Sequence, residues 1–318
     1  MLCRTANELF WMARHIERAE NTARMLDVTY RMSLLPYDMI KPGLAWAEPW
    51  AVPLVTSGIA TEYYEHFGEL SAENVLRFMI FDARNPSSIF CCLRAARESA
   101  RSVRGAITSE MYEDLNSSWL EVRGYDYAWI ESRGVSEFLE WVKMRSHLFR
   151  GVTFGTMLRD EAYHFIRLGT HLERADNTAR ILDVKYHTLL PSAADVGGAV
   201  DYYQWGALLR SVSGFESYRK IYSDVITPRR VAELLILRDD MPRSLHACMN
   251  FIYETLERLC DNNTHEIERV AGELHAKLHF GKADEIIRFG LHEYLMDFLE
   301  RISLLGDDIS RSFLVPSY

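Results

Sequence analysis

Apolar side chains recur with a helical period along almost the whole chain. Leu9, Met12, Ile16, Ala19, Ala23, Leu26 and Tyr30 follow i, i+3, i+4 spacing, which predicts one long helix over residues 7–31. Pro36 ends it, and the Pro- and Gly-bearing stretch 37–49 predicts a loop. Helices are expected next over 50–67 and over 71–82, the second opened by Ser71 as an N-cap. Asn85-Pro86-Ser87-Ser88 reads as a break, followed by a long helix from Ile89 to about Leu115. The Ser-, Gly-, Trp- and Tyr-rich stretch 116–135 reads as a hinge between halves. Helix resumes at Glu137, with Gly151 and Gly155 as bends, and a further long helix runs over 159–188 until Pro191 stops it. A loop over 192–199 precedes helices over 201–222 and 229–238, the latter with Thr227 as N-cap and Pro228 at the first helical position. Helices over 264–280 and 282–305 close the chain, and alternating β-branched runs and Asn-Gly turns are nearly absent.

One stretch occurs twice. His15 to Tyr30, HIERAENTARMLDVTY, returns as His171 to Tyr186, HLERADNTARILDVKY, 156 positions later, with 12 of 16 residues identical. At the same offset Met241-Pro242-Arg243-Ser244 matches Asn85-Pro86-Ser87-Ser88, Cys248 matches Cys92, and Glu254 matches Glu98. A repeat of this length points to a duplicated architecture. The expected fold is therefore all-α: two related helical-bundle units packed together, one over 1–135 including the hinge and one over 136–318.

The repeated helix keeps its polar positions as strictly as its apolar ones, so both sides of it should be covered. Glu20 with Arg24, and Asp176 with Arg180, are spaced i, i+4; Arg24 with Asp27, and Arg180 with Asp183, are spaced i, i+3. Glu17 and Arg18, like Glu173 and Arg174, are adjacent and cannot face each other. We expect Arg18 to pair with Glu98 and Arg174 with Glu254 as buried bridges, which leaves Glu17 and Glu173 without a named partner. Beside them the run Arg97-Glu98-Ser-Ala-Arg101 places charges within an otherwise apolar helix. Guanidinium groups at Arg18, Arg97, Arg101 and Arg104 could grip a carboxylate or phosphate through paired hydrogen bonds.

The doubled LERAxNTARxLDV helix with its Glu-Arg dipeptide, together with the Asn-Pro-Ser-Ser and Ala-Arg-Glu-Ser-Ala-Arg stretches, resembles the alpha-E family over essentially the whole chain. That resemblance implies an all-α fold with a tandem duplication. It also implies a setting beside circularly permuted ATP-grasp proteins, transglutaminase-like proteins and N-terminal-nucleophile peptidases, hence peptide synthesis or modification. The positions carried over are Glu17, Arg18, Glu173 and Arg174, with Arg97, Glu98 and Arg101. The second half reads FIYETLER where the first has the arginine-rich run, so a site built on those arginines is expected in the first half alone. The expected role is a partner or scaffold that binds a carboxylate-bearing peptide; the alternative is an enzyme using the first-half Glu/Arg cluster.

Composition narrows the remaining classes. At 48% hydrophobic and 25% charged the chain is globular, and a net charge of −9 argues against general nucleic-acid binding. Its five cysteines show no paired spacing and read as reduced thiols, Cys91 and Cys92 as core residues. A cytoplasmic protein is expected, with no signal peptide and no membrane span. Walker, GxGxxG and GxSxG motifs are absent, so no cofactor is assigned. Glu161 and His164 have the ExxH spacing of di-iron bundles, but the repeat supplies no second copy. His275 and His279 are spaced i, i+4, and on an amphipathic terminal helix they read as solvated or core-edge residues; no metal is assigned.

Overall fold

In the computed structural model, residues 1–34, 49–188, 199–260 and 265–315 are described. Among them every regular element is helical. The order is α1 (Cys3–Ser33), α2 (Ala51–Ser57), α3 (Ala60–Phe67), α4 (Ala72–Ile80), α5 (Ile89–Ser102), α6 (Ser109–Val122), α7 (Tyr127–Arg133) and α8 (Val135–Thr156). Then follow α9 (Glu161–Thr188), α10 (Ala199–Ser211), α11 (Phe215–Tyr222), α12 (Pro228–Ala232), α13 (Leu245–Leu259), α14 (His265–His279), α15 (Ala283–Phe289) and α16 (Leu291–Ile309). Short π-helical turns extend α12 and α16.

The starts are set by local chemistry. Ser71, Ser88, Thr108, Asp126, Thr227 and Ser244 each accept a hydrogen bond from the backbone N–H three residues on. Each such cap stabilises its helix by about 1 kcal/mol. Ser88 and Ser244 are wholly buried, and they direct α5 and α13 into the core. Gly134 and Gly290, at φ 104° and 112°, turn the chain sharply into α8 and α16, a conformation that costs a residue with a Cβ.

Several expected elements come out divided. The helix expected over 50–67 is two helices, because Gly58 takes a left-handed conformation at φ 69° between them. The long helix expected from Ile89 to about Leu115 ends at Ser102, and Thr108 caps a new one. The stretch 116–135, expected as a hinge, holds the rest of α6 and all of α7, and Tyr125, just before α7, stacks on Trp129 with ring centroids 4.0 Å apart. Gly151 and Gly155 do not interrupt α8, which runs through them. The loop expected over 37–49 lies almost wholly outside the described residues, as does most of that over 192–199.

The two long helices carrying the repeated stretch occupy the centre. α1 packs along α9; α5 and α8 cover α1, and α13 and α16 cover α9. α2 reaches across to α9, and α10 to α1. Helix starts recur at matched spacing: α4 and α12, α5 and α13, α6 and α14, α7 and α15, and α8 and α16 each begin 156 residues apart. One continuous hydrophobic core runs through the molecule, from Leu9, Met12 and Ile16 on α1 to Leu168, Leu172 and Leu182 on α9.

Candidate functional site

Where α1 crosses α9, the two Glu-Arg dipeptides meet each other. Arg18 donates from Nε to Glu173 Oε1 at 2.6 Å and from Nη2 to Glu173 Oε2 at 3.0 Å. Arg174 donates from Nε to Glu17 Oε1 and from Nη2 to Glu17 Oε2, both at 2.9 Å. Adjacent side chains on a helix point about 100° apart, so a single dipeptide cannot close on itself. Two such dipeptides on facing helices can, each glutamate taking the other's arginine.

This arrangement overturns the expected bridges to Glu98 and Glu254. Glu98 is half-buried and is held on its own helix by Arg97 and by Arg101, the latter at 3.0 Å. Arg97 also donates to Asn116 on α6 at 3.2 Å. Glu254 faces solvent. The reason is topological: the ER turn of α1 faces α9, a neighbour that spacing along one helix cannot reveal. Along the helix, the i, i+4 pairs form as expected, Arg24 to Glu20 at 2.8 Å and Arg180 to Asp176 at 2.7 Å. Asp27, expected with Arg24, instead accepts from Arg31 at 2.9 Å and Lys143 at 3.2 Å.

The two sides of the crossing are finished differently. Around Glu17 and Glu20 the space is full. Arg243 donates to Glu17 at 2.9 Å, to Glu20 at 2.6 Å and to Asn21 Oδ1 at 3.0 Å. Arg150 reaches Glu17 at 3.1 Å and bonds Glu20, to which Ser146 donates at 2.7 Å. Burial opposes ionisation of Glu20, but Arg243, His147 and Arg150 hold its carboxyl well below the usual range. Sequence reasoning missed Arg150 and Arg243. The one available signal was that Arg243 stands where the matched break has Ser87.

Around Glu173 and Asp176 the space is open. A cavity of about 570 Å3 lies there, within the range of small-ligand sites. Its wall includes Ser87, Ser303 and Gly306, which stand 156 positions from Arg243, His147 and Arg150. Large nitrogen-bearing side chains on one side thus correspond to small residues on the other. Arg14, whose counterpart is Thr170, donates to Glu173 at 2.8 Å and lies over the Trp11 ring at 4.7 Å. Burial pushes Glu173 up, but Arg18 and then Arg14 outweigh it and hold the carboxyl at about 2.

The cavity retains unused donors. Among the described residues Arg14, Arg18 and Arg180 each keep a terminal nitrogen with no acceptor. Asn21, buried in the cavity wall, has its Nδ2 without a partner. Asp307 stands exposed on the wall. Of the residues singled out in sequence, Arg18 and Glu173 line the cavity; Glu17 and Arg174 are consumed in the opposite cluster, and Arg97, Glu98 and Arg101 lie outside the lining. The buried thiols are inert: burial pushes Cys92 and Cys248 up to about 12.

The chain is a helical bundle centred on two long helices that exchange Glu-Arg pairs, with a polar cavity beside the exchange. The chain belongs to the Alpha-E family, described as a predicted alpha-helical domain with a conserved ER motif, whose model matches residues 1–314. No curated protein and no solved structure matches the chain. No helix among the described residues is long and apolar enough to cross a membrane.

Proposed function

We propose that this protein is a helical binding partner in a peptide synthesis or modification system, and that the cavity beside Glu173 holds a carboxylate-bearing peptide. The observation that carries this reading is the contrast across the α1–α9 crossing. Four arginines fill and neutralise the Glu17–Glu20 side, whereas Ser87 and Gly306 leave room on the other. A ligand carboxylate accepts from the spare nitrogens of Arg14 and Arg18 and from Asn21 Nδ2, in the paired geometry that guanidinium groups favour. Asp307, exposed in the lining, offers a carboxylate suited to an ammonium group on the same ligand.

The tandem ER helices support the reading of two related halves, in which one copy of the site has been filled as a structural strut. The family setting supports an ATP-grasp ligase as the partner that consumes ATP, with a transglutaminase-like protein in the same system. The alternative is an enzyme using the first-half Glu/Arg cluster; of that cluster Arg18 lines the cavity, while Arg97 and Arg101 pair with Glu98 outside it.

Calorimetric titration with short peptides tests the site. Free-acid peptides are expected to bind, and C-terminal amidation to remove that binding. Ser87→Arg, which places in the cavity the side chain found at position 243, is expected to abolish binding while the protein stays folded. Co-purification with the neighbouring ATP-grasp protein, and ligation assays with and without this chain, test the partner role. Equal binding of acid and amide peptides, or full binding by the Ser87→Arg protein, removes the proposal.

A further inference from the structure

Far from that cavity in sequence, three histidines converge between α13 and α14. His246 lies in the first turn of α13; His275 and His279 lie one turn apart on α14. One ring nitrogen from each comes within 4.8 Å of the others. The ring centroids of His246 stand 5.8 Å from His275 and 5.4 Å from His279, with 5.8 Å between the last two.

Their hydrogen bonds set the rings up as ligands. His246 Nδ1 lies 2.8 Å from the Leu237 carbonyl oxygen, which can only accept, so Nδ1 carries the proton and Nε2 presents a lone pair. That Nε2 is buried and has no partner among the described residues, although burial of a bare polar atom is unfavourable. His275 Nε2 lies 2.7 Å from Asn250 Oδ1, so the proton sits there and Nδ1 is left as the electron donor. Tyr253 stacks on the His275 ring with planes 9° apart and fixes its orientation. A metal-bound imidazole is oriented in the same way, by a carbonyl acceptor at its other nitrogen.

Packing does not demand imidazoles here. The positions 156 residues earlier are Phe90, Trp119 and Arg123, and Phe90 packs on Trp119 at 5.0 Å. The same helix pair is therefore joined by an ordinary aromatic contact in one place and by three imidazoles in the other. On sequence alone His275 and His279 carried no metal assignment; the third ligand comes from a different helix, 29 residues before His275.

We propose that His246, His275 and His279 form a binding site for a divalent first-row transition ion of the Zn2+ type. Zn–N bonds are about 2.0–2.1 Å, so the three nitrogens must draw together, and the exposed His279 side chain is free to swing inward. A fourth position remains for water or an exogenous ligand, facing solvent on the His279 side. Affinity falls with acid, because each imidazole must lose its proton to bind.

The test uses the full chain, stripped with chelator and titrated with Zn2+ against a chromogenic competitor, then with Co2+ to read coordination from its visible bands. One ion per chain is expected, with the strong visible absorption of tetrahedral Co2+. His279→Ala, at an exposed position, and His246→Phe, which borrows the residue at position 90, are each expected to lose the ion with helical circular dichroism unchanged. Asn250→Leu, which releases His275, is expected to weaken binding about 10–100-fold. Absence of stoichiometric binding by the wild-type chain, or unchanged affinity in the His279→Ala protein, overturns the proposal.

Discussion

At the residue scale, the molecule turns on Glu17 and Glu173, which hold matched positions in the repeated stretch and have unequal surroundings. Glu17 sits among Arg174, Arg243 and Arg150, whose side chains are 9%, 8% and 29% exposed; Glu173 has two partners, Arg14 and Arg18, at 19% and 25%. Removing one member of a fully buried ion pair strands its partners and costs about 3–5 kcal/mol. Glu17→Gln is therefore expected to lose about that much in urea unfolding, and Glu173→Gln measurably less, because water in the cavity can solvate its arginines. Equal losses would contradict the difference in burial. Acid should expose the same chemistry. Glu173 is held at about 2 against an ordinary 4.5, so the unfolded chain takes up a proton there well before the folded one. Its stabilising contribution is complete above pH 4.5 and is lost as pH falls toward 2. Burial and Arg18 likewise hold His15 down at about 4 from 6.5, so the unfolded chain protonates first there too, which adds a loss between those values. Unfolding midpoints measured from pH 7 to pH 3 should decline throughout, and Glu173→Gln should flatten the lower part of the curve.

At the element scale, the charge exchange requires α1 and α9 to run close together. Gly169 on α9 is where they touch: a Cβ there would overlap the Phe10 carbonyl oxygen of α1, with the Phe10 carbonyl carbon at 3.1 Å. The neighbour is backbone and cannot rotate away. Gly169→Ala should gain about 1 kcal/mol of helix propensity. It should lose more through overpacking, about 1–3 kcal/mol or above. Net destabilisation in thermal unfolding is the expected outcome, and a stabilised variant would mean that the helices separate at little cost. The Glu-Arg pairs lie only one to two turns along from this contact.

At the scale of the whole molecule, helices that start at matched spacing carry unlike side chains at the α1–α9 crossing. The hydrophobic core is continuous through both long helices, so the frame does not depend on what occupies the cavity. Ser87→Arg is therefore expected to leave the thermal midpoint unchanged or raise it, since the new guanidinium would lie beside Glu173 and Asp176, as Arg243 lies beside Glu17 and Glu20. A large drop in the midpoint would show that the cavity cannot accept the side chain. The histidine cluster follows the same logic of matched positions, with Phe90 and Trp119 filling in one place what His246 and His275 fill in the other.

Much of this protein is determined by the sequence alone. Helical periodicity, Pro and Gly punctuation and Ser or Thr caps define an all-α chain, because these signals act within a few residues and need no distant partner. The repeated stretch marks α1 and α9 as the elements to watch, and the pairs Glu20–Arg24 and Asp176–Arg180 follow from spacing along one helix. Tertiary structure decided the rest. Glu17 and Arg174 are 157 residues apart, and Glu17 and Arg243 are 226 apart, so only the packing of α1 on α9, and of the break before α13 against α1, could join them. The cavity arises where Ser87 and Gly306 are too small to do on one side what Arg243 and Arg150 do on the other. His246 meets His275 and His279 only because α13 lies against α14. Local patterns fix which segments coil; the direction each buried charge faces depends on which helix becomes its neighbour, and that choice is made by the core as a whole.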